Sequence, residues 1–360
     1  MIDDDGVVNL VLAAGAAVPQ AGGEEQRNGL YLNVAALLDG GLPEPPQPVL
    51  LRREDGNAIF YNRQVNLIFG DPESGKTLVA QAAASEALKD SRKVLFIDID
   101  HNGPQATISR FLDMDVPEEV LRDPELFRYV EPEDKNHLMA VVADAKQWHP
   151  AVAVVDSVGE LLPLLSLSSN SPDDFTLAHS GVLKPLALAG AAVLAIDHLP
   201  KNTDSRAAGP TGTAAKRRAV GGVSIRVTIK EPFTPGRGGS AYLNINKDRH
   251  GGLRRNSPFE GKEPSAGTFK LRSGTDTISW SVSAPKLGDA AAAVRVSVDD
   301  LAALNDLEPP PTSVRDVKTR LGWSSDRATA TLKEWRTRRS QSVPEEQGTG
   351  NEQVVLRSSP

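Results

Sequence analysis

The run from Gly70 to Thr77 constrains this chain more than any other stretch. It reads Gly-Asp-Pro-Glu-Ser-Gly-Lys-Thr and matches the pattern G-x-x-x-x-G-K-T. The apolar run Val65–Phe69 before it has the length of a strand, and the Ala-, Leu- and Glu-rich segment Thr77–Leu88 after it predicts a helix. The alternative is a glycine-rich turn that matches by chance. The strand before and the helix after favour a phosphate-binding loop, the P-loop.

The chemistry of such a loop assigns roles to its residues. Its glycines let the backbone fold tightly, so that N–H groups and the positive end of the helix dipole face the phosphates. Lys76 is expected to reach the β- and γ-phosphates, and the Thr77 hydroxyl is expected to ligate Mg²⁺. The predicted cofactors are therefore ATP and Mg²⁺. The predicted nucleotide contacts are Gly70, Asp71, Pro72, Glu73, Ser74, Gly75, Lys76 and Thr77.

Composition and charge narrow the class of protein. With 360 residues the chain has room for one large domain or two to three smaller ones. It has no cysteine, so disulfides and thiolate metal sites are excluded, which fits a reducing, cytoplasmic setting. The net charge of −7 leaves no global basic field, so any nucleic-acid contact must come from local patches.

No segment predicts a membrane or secretory role. The apolar run Val7–Val18 follows three aspartates rather than a basic segment, and it is too short to span a bilayer. The six histidines show no metal-ligand spacing such as H-x-x-x-H. We therefore expect no signal peptide, no transmembrane helix and no histidine metal site.

Short apolar strands alternate with helices from Ile59 onward, and this predicts a mainly parallel α/β sheet covered on both faces. The predicted strands are Val65–Phe69, Val94–Asp98, Phe127–Val130, Val152–Asp156 and Ala192–Asp197. The predicted helices are Thr77–Lys89, Pro104–Leu112, Asp134–Gln147 and Asp174–Leu188.

The pattern changes after His198. Residues 200–222 are polar, Gly-rich and basic, which predicts a long loop. Alternating segments then predict the strands Gly222–Lys230, Ala241–Asn246, Phe269–Arg272 and Thr277–Ser281. The expected organisation is a partly irregular segment at 1–58, an ATPase core at 59–285, a linker at 286–311, a small helical module at 312–340 and a disordered tail at 341–360.

Acidic residues end two of the predicted strands. The run Ala151–Ser157 is an apolar strand ending in Asp156, the Walker B pattern, whose carboxylate is expected to hold a Mg²⁺-bound water. A cap on the following turn is the alternative for Asp156. The strand from Val94 ends in Asp98 and Asp100, which strand periodicity places on one face. One of these two could orient the attacking water, and at least one could simply cap the strand end.

Together these motifs resemble the RecA/DnaB-type P-loop ATPases. The similarity is greatest to the RepA-like helicase branch of phages, plasmids and actinobacterial genomes, over roughly residues 59–255. The resemblance implies a RecA-like core, with Asp156 as the Walker B acid and Asp100 in the position of a catalytic glutamate. His198, in Ala195-Ile-Asp-His198, then matches the residue that senses the γ-phosphate. A structural residue at a strand end is the alternative for His198.

The segment from Asn246 to Gly251 resembles the K-x-R-x-G element of hexameric helicases. The resemblance implies that Lys247 and Arg249 reach the γ-phosphate bound by a neighbouring subunit. Their positive charges would stabilise the negative charge that develops during phosphoryl transfer. The chain is then expected to form a hexameric ring or a filament. A basic β-turn is the alternative.

Single-stranded DNA is the partner that this resemblance implies. The loop after the sensing strand faces DNA in the family, and flexible cationic loops suit phosphate contacts that ignore sequence. A solvated basic loop that closes over the nucleotide is the alternative. The predicted DNA contacts in this loop are Lys201, Arg206, Lys216, Arg217 and Arg218.

Residues 313–332 resemble a helix-turn-helix. Val314, Val317 and Leu321 share one helical face, Gly322 permits the turn, and basic residues surround the segment. The residues on the second helix that are expected to pack back are Ala328 and Leu332, and Ser324 or Ser325 is expected to cap it. Helical pairs of this kind bind DNA or other proteins, and both functions stay open.

The leading hypothesis is an ATP-hydrolysing motor on single-stranded DNA, a replicative-type helicase that contacts other replication proteins. The second is a RecA-type recombination or annealing ATPase. The third is a non-translocating ATP switch whose C-terminal module binds DNA or a regulator. A small-molecule kinase is disfavoured, because the sequence contains neither a lid-like basic segment nor a separate acceptor site.

Overall fold

A computed structural model describes residues 27–28, 31–169, 171–199, 214–258, 263–274, 277–286, 298–323 and 325–341. The chain divides into two compact units, Met1–Ala291 and Ala292–Pro360. The first unit contains the strands and the phosphate-binding loop, and the second is helical in its described part.

The strands of the first unit include those predicted from the sequence and four more before Val65. They are β1 (Arg27–Asn28), β2 (Tyr31–Leu32), β3 (Pro48–Arg52), β4 (Ala58–Tyr61), β5 (Val65–Gly70), β6 (Val94–Asp98), β7 (Phe127–Val130), β8 (Val152–Asp156), β9 (Ala192–His198), β10 (Val223–Thr234), β11 (Gly238–Asp248), β12 (Ser265–Ser273) and β13 (Ile278–Ser283).

Within the described residues the central sheet has nine strands in the order β13-β12-β11-β10-β5-β9-β8-β6-β7. Strands β10, β5, β9, β8, β6 and β7 are parallel, and β11, β12 and β13 continue the sheet with antiparallel pairings. The carboxyl ends of the parallel strands meet at one edge, where Gly70 pairs with His198 and Asp98 pairs with Asp156. The phosphate-binding loop, the acids that follow β6 and β8, and His198 therefore lie at one edge of the sheet.

Helices connect the strands and cover the sheet. In the first unit they are α1 (Val34–Asp39), α2 (Lys76–Lys89), α3 (Pro104–Asp113), α4 (Glu118–Arg122), α5 (Lys135–Trp148), α6 (Val158–Leu164), α7 (Pro172–Ala178), a π-helical turn (His179–Leu183), α8 (Lys184–Leu188), α9 (Ala214–Ala219) and α10 (Gly252–Arg255).

The sheet separates two hydrophobic layers. On one face the alanine-rich helix α2 packs with residues such as Val79 and Ala83 against Ile68 and Phe96. On the other face Leu138 and Leu161 of α5 and α6 pack with Leu67 and Ile97. The parallel strands read as nearly continuous apolar runs because both of their faces are buried.

The α/β fold class predicted from the sequence is confirmed, with a mainly parallel sheet between helices. The strands Val94–Asp98, Phe127–Val130 and Val152–Asp156 have the predicted bounds. The sequence analysis missed the hairpin of β3 and β4, most of which precedes the predicted start of the ATPase core at residue 59. In the structure Leu50 and Leu51 of β3 are buried in the hydrophobic core. The prediction of a continuous loop over residues 200–222 is wrong in its described part, because α9 lies there.

The second unit contains α11 (Val298–Asn305), α12 (Val314–Leu321) and α13 (Ser325–Gln341). Val317, Ala328 and Leu332 are buried together with Leu304 of α11, and Gly322 ends α12 at a φ of 66°, as the helix-turn-helix interpretation requires. The proposed cap Ser324 lies outside the described residues. None of the helices in the described part of the chain is both long and apolar enough to cross a membrane.

Candidate nucleotide site

The loop between β5 and α2 is built on two glycines. Gly75 has a φ of 90°, which strains any residue with a side chain. A Cβ at Gly70 would lie 2.4 Å from the backbone oxygen of Val227 and 2.7 Å from Oγ of Ser74. The hydroxyl of Ser74 is buried and has no hydrogen-bond partner in the described residues. Side chains at positions 70 and 75 would thus disturb the turn, and the Ser74 hydroxyl inside it is available to a ligand.

Lys76 begins α2 and is 5% exposed. Its ammonium donates to the backbone oxygen of Asp71 at 2.7 Å, within the same loop. Burial lowers the pKa of Lys76, although the nearby Asp156 acts in the opposite direction. Among the described residues this carbonyl is the one acceptor bonded to Lys76, so the ammonium has donors left for anionic phosphate oxygens.

Thr77 and Asp156 meet beside this loop. The Thr77 hydroxyl donates to Oδ2 of Asp156 at 2.9 Å. Burial, together with the charges of Asp100 and Asp98, raises the pKa of Asp156 to about 7. A hydroxyl and a carboxylate are donors that suit Mg²⁺, so Thr77 and Asp156 fit the predicted metal role. The peptide bond from Asp156 to Ser157 is cis.

The two acids after β6 have different environments. Asp98 is fully buried and accepts hydrogen bonds from Asn102 at 3.0 Å, from the N–H of Gly103 at 3.3 Å and from the Tyr129 hydroxyl at 2.8 Å. These contacts order the turn into α3. Asp98 therefore caps the strand end, which was one of the two readings left open by the sequence.

Asp100 lies beside the Walker B strand. Its Oδ1 accepts from the Ser157 hydroxyl at 2.6 Å, and its Oδ2 lies 4.0 Å from Nε2 of His198. Burial acts to raise the pKa of Asp100, but His198 and Ser157 outweigh it and hold that pKa below its usual range. Asp100 is therefore a charged carboxylate, partly open to solvent, at the edge where Lys76 and Asp156 also lie.

His198 ends β9 directly opposite Gly70. Its side chain is 42% exposed, and its backbone N–H donates to Oδ1 of Asp197 at 2.9 Å. The imidazole is thus accessible at the P-loop edge and adjoins Asp100. This placement is compatible with the sensing role that the resemblance implies.

Lys216 does not lie on an exposed loop. Its Nζ is 2.7 Å from Oδ2 of Asp197, both side chains are 1% exposed, and the Phe175 ring centre lies 5.8 Å from the ammonium. The expectation of a DNA contact therefore needs correction, since a buried and paired ammonium is not available to phosphates. Lys216 instead anchors α9 to the end of β9.

Lys247 also differs from its expected role. Its Nζ donates to the backbone oxygens of Arg217 at 2.8 Å, Arg218 at 3.0 Å and Val220 at 2.9 Å. All three ammonium donors are thus engaged at the C-terminal end of α9, where a cation caps the free carbonyls. In this structure Lys247 caps a helix rather than reaching toward a neighbouring phosphate.

Arg249 is exposed and lies at the edge of the sheet opposite the P-loop. Its N–H donates to the oxygen of Gly222 at 3.1 Å, whereas Gly70 pairs with Val227 further along β10. Gly222 and Val227 are five residues apart, which corresponds to about 16 Å along an extended strand. That separation exceeds an arginine side chain, so Arg249 does not reach the P-loop of its own chain.

The remaining predicted DNA contacts are partly described. Arg218 on α9 is exposed, and Arg217 is half-buried and donates to the backbone oxygen of Asn246 at 3.4 Å. Lys201 and Arg206 lie outside the described residues.

Sequence reasoning missed two residues of the site. Ser157 bonds to Asp100, and its position directly after the Walker B acid was the available signal. Phe233 presses on the P-loop, because its Cε2 lies 2.4 Å from the place of a Gly75 Cβ. No local pattern indicates that contact, since the two residues are far apart in the chain.

No family model matches the chain, and no curated protein matches it. Among solved structures, a KaiC-like protein, PH0186, from the hyperthermophilic archaeon Pyrococcus horikoshii OT3 is 13% identical, with a TM-score of 0.46; the match covers 66% of this chain and 99% of that one.

Proposed function

We propose that this protein is an ATP-hydrolysing, RecA-like motor that acts on single-stranded DNA, as a replicative-type helicase does. The observation that carries the ATPase assignment is the position of Asp100. Its carboxylate adjoins His198 and Ser157 at the edge where the P-loop ends. A charged carboxylate at this place is suited to orient and deprotonate water.

The residues of the P-loop divide the binding task. Lys76 and the N–H groups at the start of α2 would hold the phosphates, and Thr77 with Asp156 would hold Mg²⁺. When bound, this metal neutralises charge that develops on the phosphate oxygens. Asp100 would take up the proton of the attacking water. The exposed imidazole of His198, next to Asp100, would hydrogen-bond to the γ-phosphate.

The DNA assignment is supported by α9. Lys216 and Lys247 hold this helix against β9 and β11, and Arg218 on it is exposed. The position of Arg249 supports a shared site, because within its own chain it lies at the edge opposite the P-loop.

A non-translocating ATP switch is the second candidate. The bonding of Lys247 favours it, because only Arg249 of the K-x-R pair remains to act on a neighbouring subunit. In that case the ATPase core would sense nucleotide while the basic helices of the second unit bind DNA or a regulator.

Two assays on the full chain separate these functions. ATP hydrolysis is measured with and without oligo-dT, using Lys76→Ala as the inactive control. A tailed duplex is then tested for strand separation. DNA-stimulated hydrolysis together with unwinding supports the helicase, and stimulated hydrolysis without unwinding of either 3′- or 5′-tailed duplexes favours the switch. Hydrolysis that survives in Lys76→Ala would contradict the ATPase assignment itself.

A further inference from the structure

The hairpin between β10 and β11 ends in a turn that displays an arginine. The turn reads Pro235-Gly-Arg237-Gly-Gly239, and its glycines at 236 and 238 have φ values of 73° and 82°. A Cβ at Gly238 would lie 2.0 Å from the backbone oxygen of Leu271. Gly238 thus has no room for a side chain, and the left-handed backbone at Gly236 would strain one. Arg237 between them is exposed.

Arg237 borders a cavity of about 340 Å³ at the place where β10 ends, β11 begins and β12 ends. Lys270 and Arg272 of β12 also line this cavity, together with Glu231 of β10. The carboxylate of Glu231 accepts a hydrogen bond from the Ser240 hydroxyl at 2.7 Å. Three cations, two from β12 and one from the turn, therefore line one open site together with a single acid, Glu231.

The three cations are available for a ligand. Arg237 and Arg272 are exposed, and Lys270 is half-buried. In the described part of the chain none of them forms an ion pair or a side-chain hydrogen bond. Three cations beside one carboxylate give the site an excess of positive charge, which favours an anion, and the arginine fork suits the oxygens of a phosphate.

The cavity adjoins the nucleotide site. Strand β10 pairs with β5 up to Val227 and Gly70, and its remaining residues extend beyond that edge. Phe233, in this extension, presses its ring on Gly75 of the P-loop. The tip of the hairpin therefore contacts the loop that would hold the nucleotide.

We propose that this cavity binds backbone phosphates of single-stranded nucleic acid through Arg237, Lys270 and Arg272. The proposal rests on the DNA half of the proposed function and adds a second contact surface to it, apart from α9. The phosphates of the nucleotide are the other source of the same chemistry. They already have Lys76 and the N–H groups of the P-loop, so a strand of DNA is the better match for these additional cations.

The test uses the full chain and the triple variant Arg237→Gln/Lys270→Gln/Arg272→Gln. Binding of fluorescent oligo-dT is measured across a salt series, and binding of ATP with Mg²⁺ is measured in parallel. The matched control is Lys135→Gln/Lys146→Gln/Lys184→Gln, which removes the same charge from exposed positions on α5 and α8. The charge-preserving variant Arg237→Lys/Arg272→Lys tests whether cations restore binding.

Loss of three contacts should lower DNA affinity by about tenfold or more and flatten the slope of log affinity against log salt by about 2. That result, with unchanged ATP affinity, a normal control and binding restored in the lysine variant, supports the proposal. Unchanged DNA binding in the triple variant overturns it, while the proposed function stands if the unaltered protein binds oligo-dT.

Two other outcomes also decide the matter. If the triple variant loses ATP affinity and keeps DNA affinity, the site takes the nucleotide's phosphates and the DNA assignment is wrong. If the unaltered protein binds no oligo-dT, both this proposal and the DNA half of the proposed function fail. ATP hydrolysis measured without DNA then shows separately whether the ATPase half holds.

Discussion

The ammonium of Lys216 lies 2.7 Å from the Asp197 carboxylate, and both side chains are sealed from solvent. The second carboxylate oxygen of Asp197 accepts the backbone N–H of His198. One buried ion pair thus joins α9 to the end of β9, directly beside the imidazole that adjoins Asp100. Lys216, which the sequence predicted to contact DNA, instead joins α9 to β9 next to the candidate site.

Removing one member of this pair should destabilise the protein strongly. Lys216→Met leaves the Asp197 carboxylate buried without its partner, at a cost of about 3–5 kcal/mol. The double variant Lys216→Met/Asp197→Leu removes both charges and should recover much of that loss. Urea unfolding of both variants provides the measurement, with exposed Lys146→Met as the control. A Lys216→Met variant that is fully stable but binds DNA weakly would restore the DNA role expected from the sequence.

Asp100→Asn should slow ATP hydrolysis with little effect on ATP binding. The amide keeps the bond with Ser157 but no longer accepts a proton from water, so kcat should fall by about 100-fold or more. Steady-state hydrolysis and fluorescent-nucleotide binding separate the two effects. Asp98→Asn is the matched control, because within the described residues Asp98 accepts hydrogen bonds from the turn and from Tyr129. A larger loss of kcat in Asp98→Asn than in Asp100→Asn would reverse the assignment of the two acids.

Asp156 should make the metal-free protein less stable as pH rises. Burial and two neighbouring carboxylates raise its pKa to about 7, whereas an unfolded aspartate titrates near pH 4. Between these values the native state binds more protons than the unfolded state, so the free energy of unfolding falls as pH increases from about 4 to 7.

Asp156→Asn removes this titration. The stability of the variant relative to the unaltered protein should therefore increase by about 2.5 kcal/mol from pH 5 to pH 8. Denaturant unfolding in EDTA measures the difference, and Asp173→Asn, at an exposed acid, is the control. A constant difference across this pH range would mean that Asp156 ionises with an ordinary pKa.

Sequence patterns predicted the central strands well because their apolar runs are local. The β3–β4 hairpin escaped prediction because its first strand begins at Pro48, after a proline-rich stretch, and its burial depends on distant partners. Helix α9 was missed for a similar reason, because its stability depends on residues distant in the chain. This short, basic helix is held by Asp197 of β9 and Lys247 of β11.

The site shows the same limit. The spacing of glycines and lysine predicted the phosphate-binding loop, and the apolar strand before Asp156 predicted a Walker B acid. The hydroxyl of Thr77 donates to Asp156, which suits the metal role predicted for both residues. The choice between Asp98 and Asp100 required the positions of Tyr129 and Ser157, which no short motif contains. The resemblance of the Lys247 segment to a helicase element likewise did not indicate that three carbonyls would engage this lysine.

Lys247 and Arg249 should therefore respond differently to mutation. Lys247→Ala exposes the carbonyls at the end of α9 and should lower the free energy of unfolding by about 1–3 kcal/mol. Arg249→Ala removes an exposed side chain and should leave stability nearly unchanged. If Arg249 serves a neighbouring subunit, its loss should abolish ATP hydrolysis. Urea unfolding measures the stability of both variants, and an ATPase assay measures the loss of activity.

Mixing variants distinguishes the two roles. Arg249→Ala subunits have an intact P-loop, and Lys76→Ala subunits have an intact Arg249, so mixed assemblies contain interfaces with both groups. Hydrolysis should return in this mixture, whereas mixing two batches of Lys76→Ala provides the inactive control. Lys247→Ala subunits should recover activity at low temperature without any partner, because their defect is one of folding. If activity never returns in the Arg249→Ala mixture, the shared site is wrong.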